Sequence, residues 1–90
     1  MSNAPRNIVG PQVRRLRVAL EISQPELAGR CQRLGWDVGR DAIAKIEGGS
    51  RWVADCELVY LARALECSLL ELFAESVQRQ LAVEPRKRPA

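Results

Sequence analysis

Hydrophobic positions recur with helical spacing from the ninth residue onward. Val9, Val13, Leu16 and Leu20 are separated by four, three and four residues, which places them on one stripe of an α-helix. Gly10-Pro11 stands at the start of this stripe, where proline is tolerated. The pattern predicts a first helix from about Val9. Residues 1–8 have no such periodicity and are predicted to be a flexible leader.

A second helix is predicted by several signals that agree. Ser23 and Glu26 have the spacing of a capping box, and Pro25 falls in the first turn. The apolar positions that follow have helical spacing, and Gly35 is a typical C-terminal stop. They are Leu27, Ala28, Cys31 and Leu34.

Three further short helices complete an all-α fold class, a compact bundle of five helices with no strand. The third runs from Arg40 or Asp41 to Glu47, with Ile43 and Ile46 inward, and Gly48-Gly49 stops it. The fourth is predicted over Asp55–Glu66. A second capping box, Ser68–Glu71, opens a fifth helix through Phe73, which Val77 and Leu81 would prolong by a turn or two.

The predicted organisation is one domain. A 90-residue chain has no room for a second. Residues 1–8 form the leader, residues 9–75 the helical domain, and residues 76–90 a helix extension with a basic flexible tail. Pro85 to Pro89 is too polar and too rich in proline to fold alone.

Composition excludes several classes of protein. The longest purely apolar run is Leu58–Ala62, far short of the roughly 20 residues that a membrane-spanning helix needs. No apolar stretch follows Arg6, so the start is not a signal peptide, and the protein is predicted to be cytoplasmic. Only 4% of the residues are aromatic, which favours a core of Leu, Val, Ile and Ala.

The absence of histidine argues against an enzyme. It removes most metal sites, most acid–base catalysis near neutral pH and the Ser/His and Cys/His nucleophile pairs. We expect no metal and no cofactor. Cys31, Cys56 and Cys67 form no C-x-x-C pair, and they are predicted to be reduced thiols in or near the core.

Charge is distributed unevenly around a net value of +3. Residues 6–51 hold nine basic side chains against five acidic, residues 52–75 one against five, and residues 76–90 four against one. A basic first half indicates a face prepared for a polyanion. Chance clustering of surface charges is the alternative.

Five short motifs occur in an order that resembles the phage repressor/Cro type of helix-turn-helix regulator, also called the xenobiotic-response-element type. They are Leu16-Arg17, Ser23–Ala28, Ile43–Gly49, Leu58–Leu65 and Leu69–Phe73. The resemblance covers about residues 9–75. It implies a lambda-repressor-like DNA-binding domain whose third helix, about residues 40–47, enters the major groove of double-stranded DNA.

The resemblance also implies a role for particular residues. Gln24 would grip a phosphate at the start of the second helix, where backbone N–H groups already favour an anion. An arginine can bind guanine through two hydrogen bonds, and an aspartate can accept from cytosine N4. The residues that would reach base edges are Gly39, Arg40, Asp41, Ala42 and Lys45, and those that would follow the DNA backbone are Gly49, Ser50 and Arg51.

Each of these assignments has a structural alternative. Gln24 would otherwise be an ordinary first-turn residue, Asp41 would only favour the helix dipole, and Arg40 and Lys45 would form a solvated face. Glu47 is unsuited to phosphate contact. In the family the matching glutamate pairs with the arginine found here at Arg17, so the two are predicted to be a structural ion pair.

The chain departs from the family pattern between the second and third helices. Fourteen residues separate Ala28 from Ile43, more than is common in the family, which predicts an elongated helix 2–helix 3 region. Trp36 within it is predicted to be a lid on the core. Glu66 stands where the family prefers a left-handed glycine.

The predicted function is a sequence-specific DNA-binding transcriptional regulator, specifically a repressor of prophage, mobile-element or toxin–antitoxin type. It would act as a homodimer, because one domain reads a half-site, and a toxin would be one kind of protein partner. The alternative is a protein-interaction module that keeps the fold without specific DNA binding and shows an apolar patch around Trp36 or Trp52. The candidate dimer surface, which could instead complete the core, is Leu70, Phe73, Val77 and Leu81.

Overall fold

The computed structural model describes residues 4–81, which form helices and no strand. The all-α fold class is therefore confirmed. In chain order the elements are α1 (Gly10–Ala19), α2 (Gln24–Leu34), α3 (Arg40–Glu47), α4 (Asp55–Ala64), a 3₁₀ turn (Leu70–Leu72) and α5 (Glu75–Leu81). The predicted flexible tail contains the basic residues Arg86, Lys87 and Arg88. These three residues lie outside the described residues.

α3 lies at the centre of the packing, against both α1 and α2, while α4 packs on α2. Ile43 and Ile46 of α3 are fully buried against α1 and α2, whose own buried residues include Val13 and Leu27. Leu61 of α4 closes the core. The residues of this core, within the described part of the chain, are all apolar or cysteine.

The ends of α2 form as the capping signals predict. The Ser23 hydroxyl accepts from the Glu26 backbone N–H at 3.1 Å, and the Glu26 carboxylate accepts from the Ser23 N–H at 3.1 Å. Gly35 ends the helix with a φ of +108°, a left-handed conformation that only glycine adopts without strain.

The connection between α2 and α3 contains a core residue that helical periodicity did not reveal. Val38 is buried although it lies outside any helix. Gln32 Nε2 donates to the Val38 carbonyl at 2.8 Å, and the Trp36 N–H donates to the Cys31 carbonyl at 3.0 Å. These bonds satisfy the backbone of a connection longer than the tight turn of the family.

α4 is two residues shorter than the predicted Asp55–Glu66. It ends at Ala64, and Glu66 has a φ of +56°. The Cys67 N–H donates back to the Ala62 carbonyl at 3.0 Å, and Arg30 Nη1 donates to the Ala64 carbonyl at 3.0 Å. Glu66 thus adopts the left-handed conformation for which the family uses glycine.

The predicted fifth helix is wrong in its length and continuity. The Ser68–Glu71 capping box forms, with hydrogen bonds of 2.8 and 3.3 Å, but it opens only a 3₁₀ turn. Phe73 is extended, and α5 is a separate helix that begins at Glu75. Packing overrides the local signal here, because Leu72 is fully buried and Phe73 packs against the core.

The predicted flexible leader needs correction at Arg6 and Asn7. Asn7 Oδ1 accepts from the N–H groups of Val9 and Gly10 at 3.1 and 2.8 Å, and its Nδ2 donates to the carbonyls of Ile46 and Arg51. The amide satisfies free donors at the start of α1 and free acceptors at and after the end of α3. This part of the leader is therefore anchored to α3.

Gly10 is required by the close approach of α1 to the end of α3. A Cβ at this position would collide with the Ile46 carbonyl oxygen and lie 2.9 Å from that of Glu47. Both are backbone atoms, so a side chain cannot move aside to relieve the contact. The first helix can meet the third at this point only because residue 10 has no side chain.

Gly10→Ala is expected to lower the free energy of unfolding by about 1–3 kcal/mol, because it overpacks the α1–α3 contact. Gly29→Ala is the matched control. Its Cβ would meet only Arg33 Nη1, at 3.6 Å, and alanine in a helix interior should stabilise the protein by about 0.5–1 kcal/mol. Urea unfolding followed by circular dichroism measures both. Equal stability of the two variants would contradict the close approach.

Candidate nucleic-acid interface

A bidentate ion pair joins α1 to the last residue of α3. Arg17 Nε lies 2.6 Å from Glu47 Oε2, and Arg17 Nη2 lies 3.0 Å from Glu47 Oε1. The two side chains are only 12% and 5% exposed. The hydrogen bond to Glu47 raises the pKa of Arg17, so the guanidinium stays charged. The negative charge of Glu47 is thereby compensated within the protein.

Gln24, predicted to bind a phosphate, forms a hydrogen bond to the carboxylate of this ion pair. Its Nε2 donates to Glu47 Oε1 at 3.1 Å, while Arg17 Nη1 donates to the Ile22 carbonyl at 2.8 Å. The amide group has two N–H donors, and Glu47 takes one. Gln24 is therefore held at the N-terminus of α2 with a second donor remaining.

The residues predicted to read bases lie on one exposed face of α3. Arg40, Asp41 and Lys45 are exposed, on the side of the helix opposite to the buried Ile43 and Ile46. Ala42 is half-buried. Gly39 is the exposed N-cap, with an extended φ of −101° and no atom within 4 Å of where its Cβ would lie. The backbone at Gly39 therefore does not itself require a glycine.

The loop after α3 turns sharply and is tied to the leader. Gly49 is buried with a φ of +77°, and its carbonyl accepts from the Arg6 N–H at 2.8 Å. Ser50 is exposed, and its backbone N–H donates to the Lys45 carbonyl at 3.0 Å. The predicted backbone-following residues Gly49 and Ser50 thus adjoin α3.

Arg51 has contacts within the protein that the prediction did not anticipate. Its Nη1 and Nη2 lie 2.9 and 3.2 Å from the two carboxylate oxygens of Glu57, and its guanidinium lies 5.9 Å from the Trp36 ring centre. The hydrogen bond from Arg51 lowers the pKa of Glu57 below its ordinary value of 4.5. This side chain, predicted to follow the DNA backbone, clamps the loop to α4.

Trp36 is half-buried and stacks on Tyr60, with ring centres 6.0 Å apart. It packs against the core, as expected of a lid. Glu57 compensates for the absence of a capping side chain at Ala54, because it accepts from the Ala54 N–H at 3.0 Å. Stacking, ion pairing and capping together hold the α3–α4 loop.

Sequence reasoning missed two residues around this surface, Arg6 and Asn7, and named Trp52 only as part of a possible protein-interaction patch. An asparagine shortly before Gly-Pro is a capping signal that could have identified Asn7. The expectation for the cysteines is wrong for Cys56, which is exposed. Cys31 is buried, which raises its pKa to about 11, and Cys67 is half-buried.

Residues 4–81 contain neither a cluster of candidate metal ligands nor a membrane-spanning helix. No group of three or more His, Cys, Asp or Glu side chains in this range could hold a metal ion. None of the helices described is long and apolar enough to span a membrane.

Comparison with known proteins defines the class. The chain is similar to the restriction–modification controller protein C.AhdI from Aeromonas hydrophila, with 32% identity and a TM-score of 0.65 over 72% of this chain and 87% of that chain. It is also similar to the hypothetical transcription factor NHTF from Neisseria, with 22% identity and a TM-score of 0.69 over 89% and 86%. No protein-family model and no curated protein matches the chain.

The fold and the exposed third helix define a DNA-binding transcription regulator of the helix-turn-helix class, and both neighbours are regulators rather than enzymes. The chain belongs to the Cro/C1-type helix-turn-helix regulators. The resemblance found in the sequence is therefore confirmed.

Arg17→Ala is expected to lower the free energy of unfolding by about 3–5 kcal/mol, because it leaves the largely buried Glu47 carboxylate without its charged partner. Arg15→Ala, an exposed arginine of the same helix, should change it by less than about 0.5 kcal/mol. Denaturant titration of both variants measures the difference. Comparable midpoints would show that the ion pair contributes little.

Proposed function

We propose that the protein is a sequence-specific repressor that reads double-stranded DNA with the exposed face of α3. The observation that carries this is the division of α3 into two sides. Ile43 and Ile46 are buried, and Glu47 is bound to Arg17, so that the charged residues Arg40, Asp41 and Lys45 are left open to solvent.

In this proposal Arg40 and Asp41, in the first turn of α3, contact base edges in the major groove. The guanidinium suits the O6 and N7 atoms of guanine, and the carboxylate suits the N4 donor of cytosine. Lys45, one turn further along, binds a base or a phosphate. Ala42 and Gly39 add no polar side chain, and they allow the backbone to approach the DNA.

Phosphate contacts flank the reading residues. Gln24 has a second amide donor beside the N–H groups at the start of α2, a position that favours an anion. Ser50 is exposed in the loop after α3 and reaches the DNA backbone on the other side, while the buried Gly49 forms the turn that presents it. Arg51 is committed to Glu57 and Trp36, so we assign it to positioning the loop rather than to phosphate.

We further propose a homodimer, since one domain of this class reads a half-site and paired half-sites are the norm. Leu70 and Leu81 are 45% and 55% exposed, while Phe73 and Val77 are half-buried beside them in the chain. An apolar surface at this end, away from α3 in the chain, would leave both recognition helices free for DNA.

The class of regulated genes is also a proposal. A prophage, mobile-element or toxin–antitoxin repressor fits a single small domain, and the likeness to a restriction–modification controller supports regulation of a compact gene module. A toxin remains one kind of protein partner to be tested by co-purification.

The decisive experiment is selection of random-sequence duplex DNA on the purified protein at about 150 mM salt, followed by sequencing of the retained fraction. A two-fold symmetric consensus is expected, and it would define operator and half-site spacing together. Retention that has no consensus and vanishes as salt rises would overturn sequence-specific reading and favour the interaction module.

Arg40→Ala should cost about 1–3 kcal/mol of binding free energy on the selected duplex and relax one base position in a repeated selection. Fluorescence anisotropy with labelled duplex measures the loss. Arg63→Ala, an exposed arginine of α4, is the control of equal charge and should keep the consensus. An equal loss on every sequence would reduce Arg40 to a phosphate contact.

Leu81→Asp should shift the protein from dimer to monomer, because it places a charge on the proposed apolar surface. Sedimentation velocity across a concentration series gives the association constant. Val18→Asp changes an equally exposed residue of α1, 56% exposed, and should leave the dimer intact. A monomeric wild-type protein would refute this part of the proposal.

A further inference from the structure

A groove of about 520 Å³ lies beside the proposed recognition helix. Two of the residues that line it, Arg6 and Trp52, have no role in the function proposed above. One wall belongs to α3, the second to the loop that follows it, and the third to the leader. The lining residues are Arg6, Ala42, Lys45, Ser50, Arg51 and Trp52. A second concavity, of about 460 Å³, adjoins it through Arg6 and Ser50.

The groove is positively charged. Three of its six lining residues are basic and none is acidic. Arg51 is neutralised by Glu57, whereas Arg6 and Lys45 form no ion pair within residues 4–81. Two uncompensated cations on one concave surface create a potential that attracts an anionic ligand.

Trp52 is the most exposed large apolar side chain in the described residues, at 70%. Its loop is well held, because Asn7 Nδ2 donates to the Arg51 carbonyl at 2.8 Å and Arg51 Nη1 donates to the Trp52 carbonyl at 3.0 Å. The indole is therefore presented on anchored backbone. It offers an apolar face and one N–H donor beside two cations.

We propose that this groove binds the sugar–phosphate backbone of DNA, with Arg6 and Lys45 on phosphate oxygens and the Trp52 indole against an adjacent deoxyribose. The inference rests on the proposed function. Ala42 and Lys45 belong both to the groove and to the proposed reading helix, and a DNA backbone runs along each edge of the major groove. A strand at that edge would meet the groove when α3 is inserted.

This site extends the interface beyond the helix-turn-helix residues. Arg6 reaches it because the leader is anchored by the hydrogen bond of its own N–H to Gly49 and by Asn7. The Arg6 guanidinium also lies 3.5 Å from the Ser50 carbonyl, at the junction of the two concavities. Arg51 acts as a positioning residue for Trp52.

The salt dependence of DNA binding tests the Arg6 contact. On the selected duplex, or on a random-sequence duplex if no consensus is obtained, Arg6→Ala should reduce the slope of log affinity against log salt by about 0.9, the value for one lost phosphate contact. Arg63→Ala removes the same charge outside the groove and should leave the slope unchanged. An unchanged slope for Arg6→Ala would remove Arg6 from the interface.

Tryptophan fluorescence tests the second contact independently. Wild type and Trp52→Phe both retain Trp36, so the difference between their emission spectra belongs to Trp52. Bound DNA should protect this difference signal from acrylamide quenching at least two-fold, and Trp52→Phe should weaken binding to all duplexes by one common factor. Unchanged quenching of Trp52 in the complex would overturn the contact.

The outcomes separate this inference from the proposed function. If wild type binds a consensus duplex while neither the slope nor the quenching responds as stated, the groove is not a DNA site and the regulator stands. If wild type retains no duplex at all, the proposed function fails and this inference fails with it.

Discussion

The packing of α1, α2 and α3 against one another depends on the ion pair between Arg17 and Glu47. It is bidentate and largely buried, and it fixes the end of α3 against α1. Gln24 bonds to the same carboxylate, so that α2 is tied to the same point. A buried carboxylate beside the start of α2 would repel a polyanion if it were unpaired. Its pairing lets an acidic residue lie within the surface that we propose binds DNA.

The same end of α3 is held from a second direction. Gly10 allows the backbone of α1 to approach the carbonyls of Ile46 and Glu47, and the Asn7 amide joins the start of α1 to the end of α3. These contacts hold the C-terminal end of α3 against the start of α1. The first turn, with Arg40 and Asp41, is exposed to solvent, as the proposed insertion into the major groove requires.

Charge is divided in a way that matches the regulator class. Glu47 is paired with Arg17, and Glu57 is paired with Arg51. The charges of these two arginines are therefore compensated within the protein. Arg40 and Lys45 remain exposed on α3, and Arg6 joins them through the anchored leader. In the proposed interface a polyanion would meet these cations while Glu47 and Glu57 are already neutralised by arginines, an arrangement that favours attraction.

The sequence by itself determined the helical class, the start and end of α2 and the limits of α3, because capping, periodicity and glycine stops act over a few residues. The pair of Arg17 and Glu47, 30 residues apart, was implied only by the resemblance to the family. Tertiary structure decided the rest. The capping box at Ser68 opens only a 3₁₀ turn since Leu72 and Phe73 are drawn into the core. Val38 is buried, Arg51 turns to Glu57 and Asn7 reaches Ile46 through contacts between segments distant in the chain or outside any helix. Such contacts leave no periodic signal, so only the packed structure shows which surface they leave open.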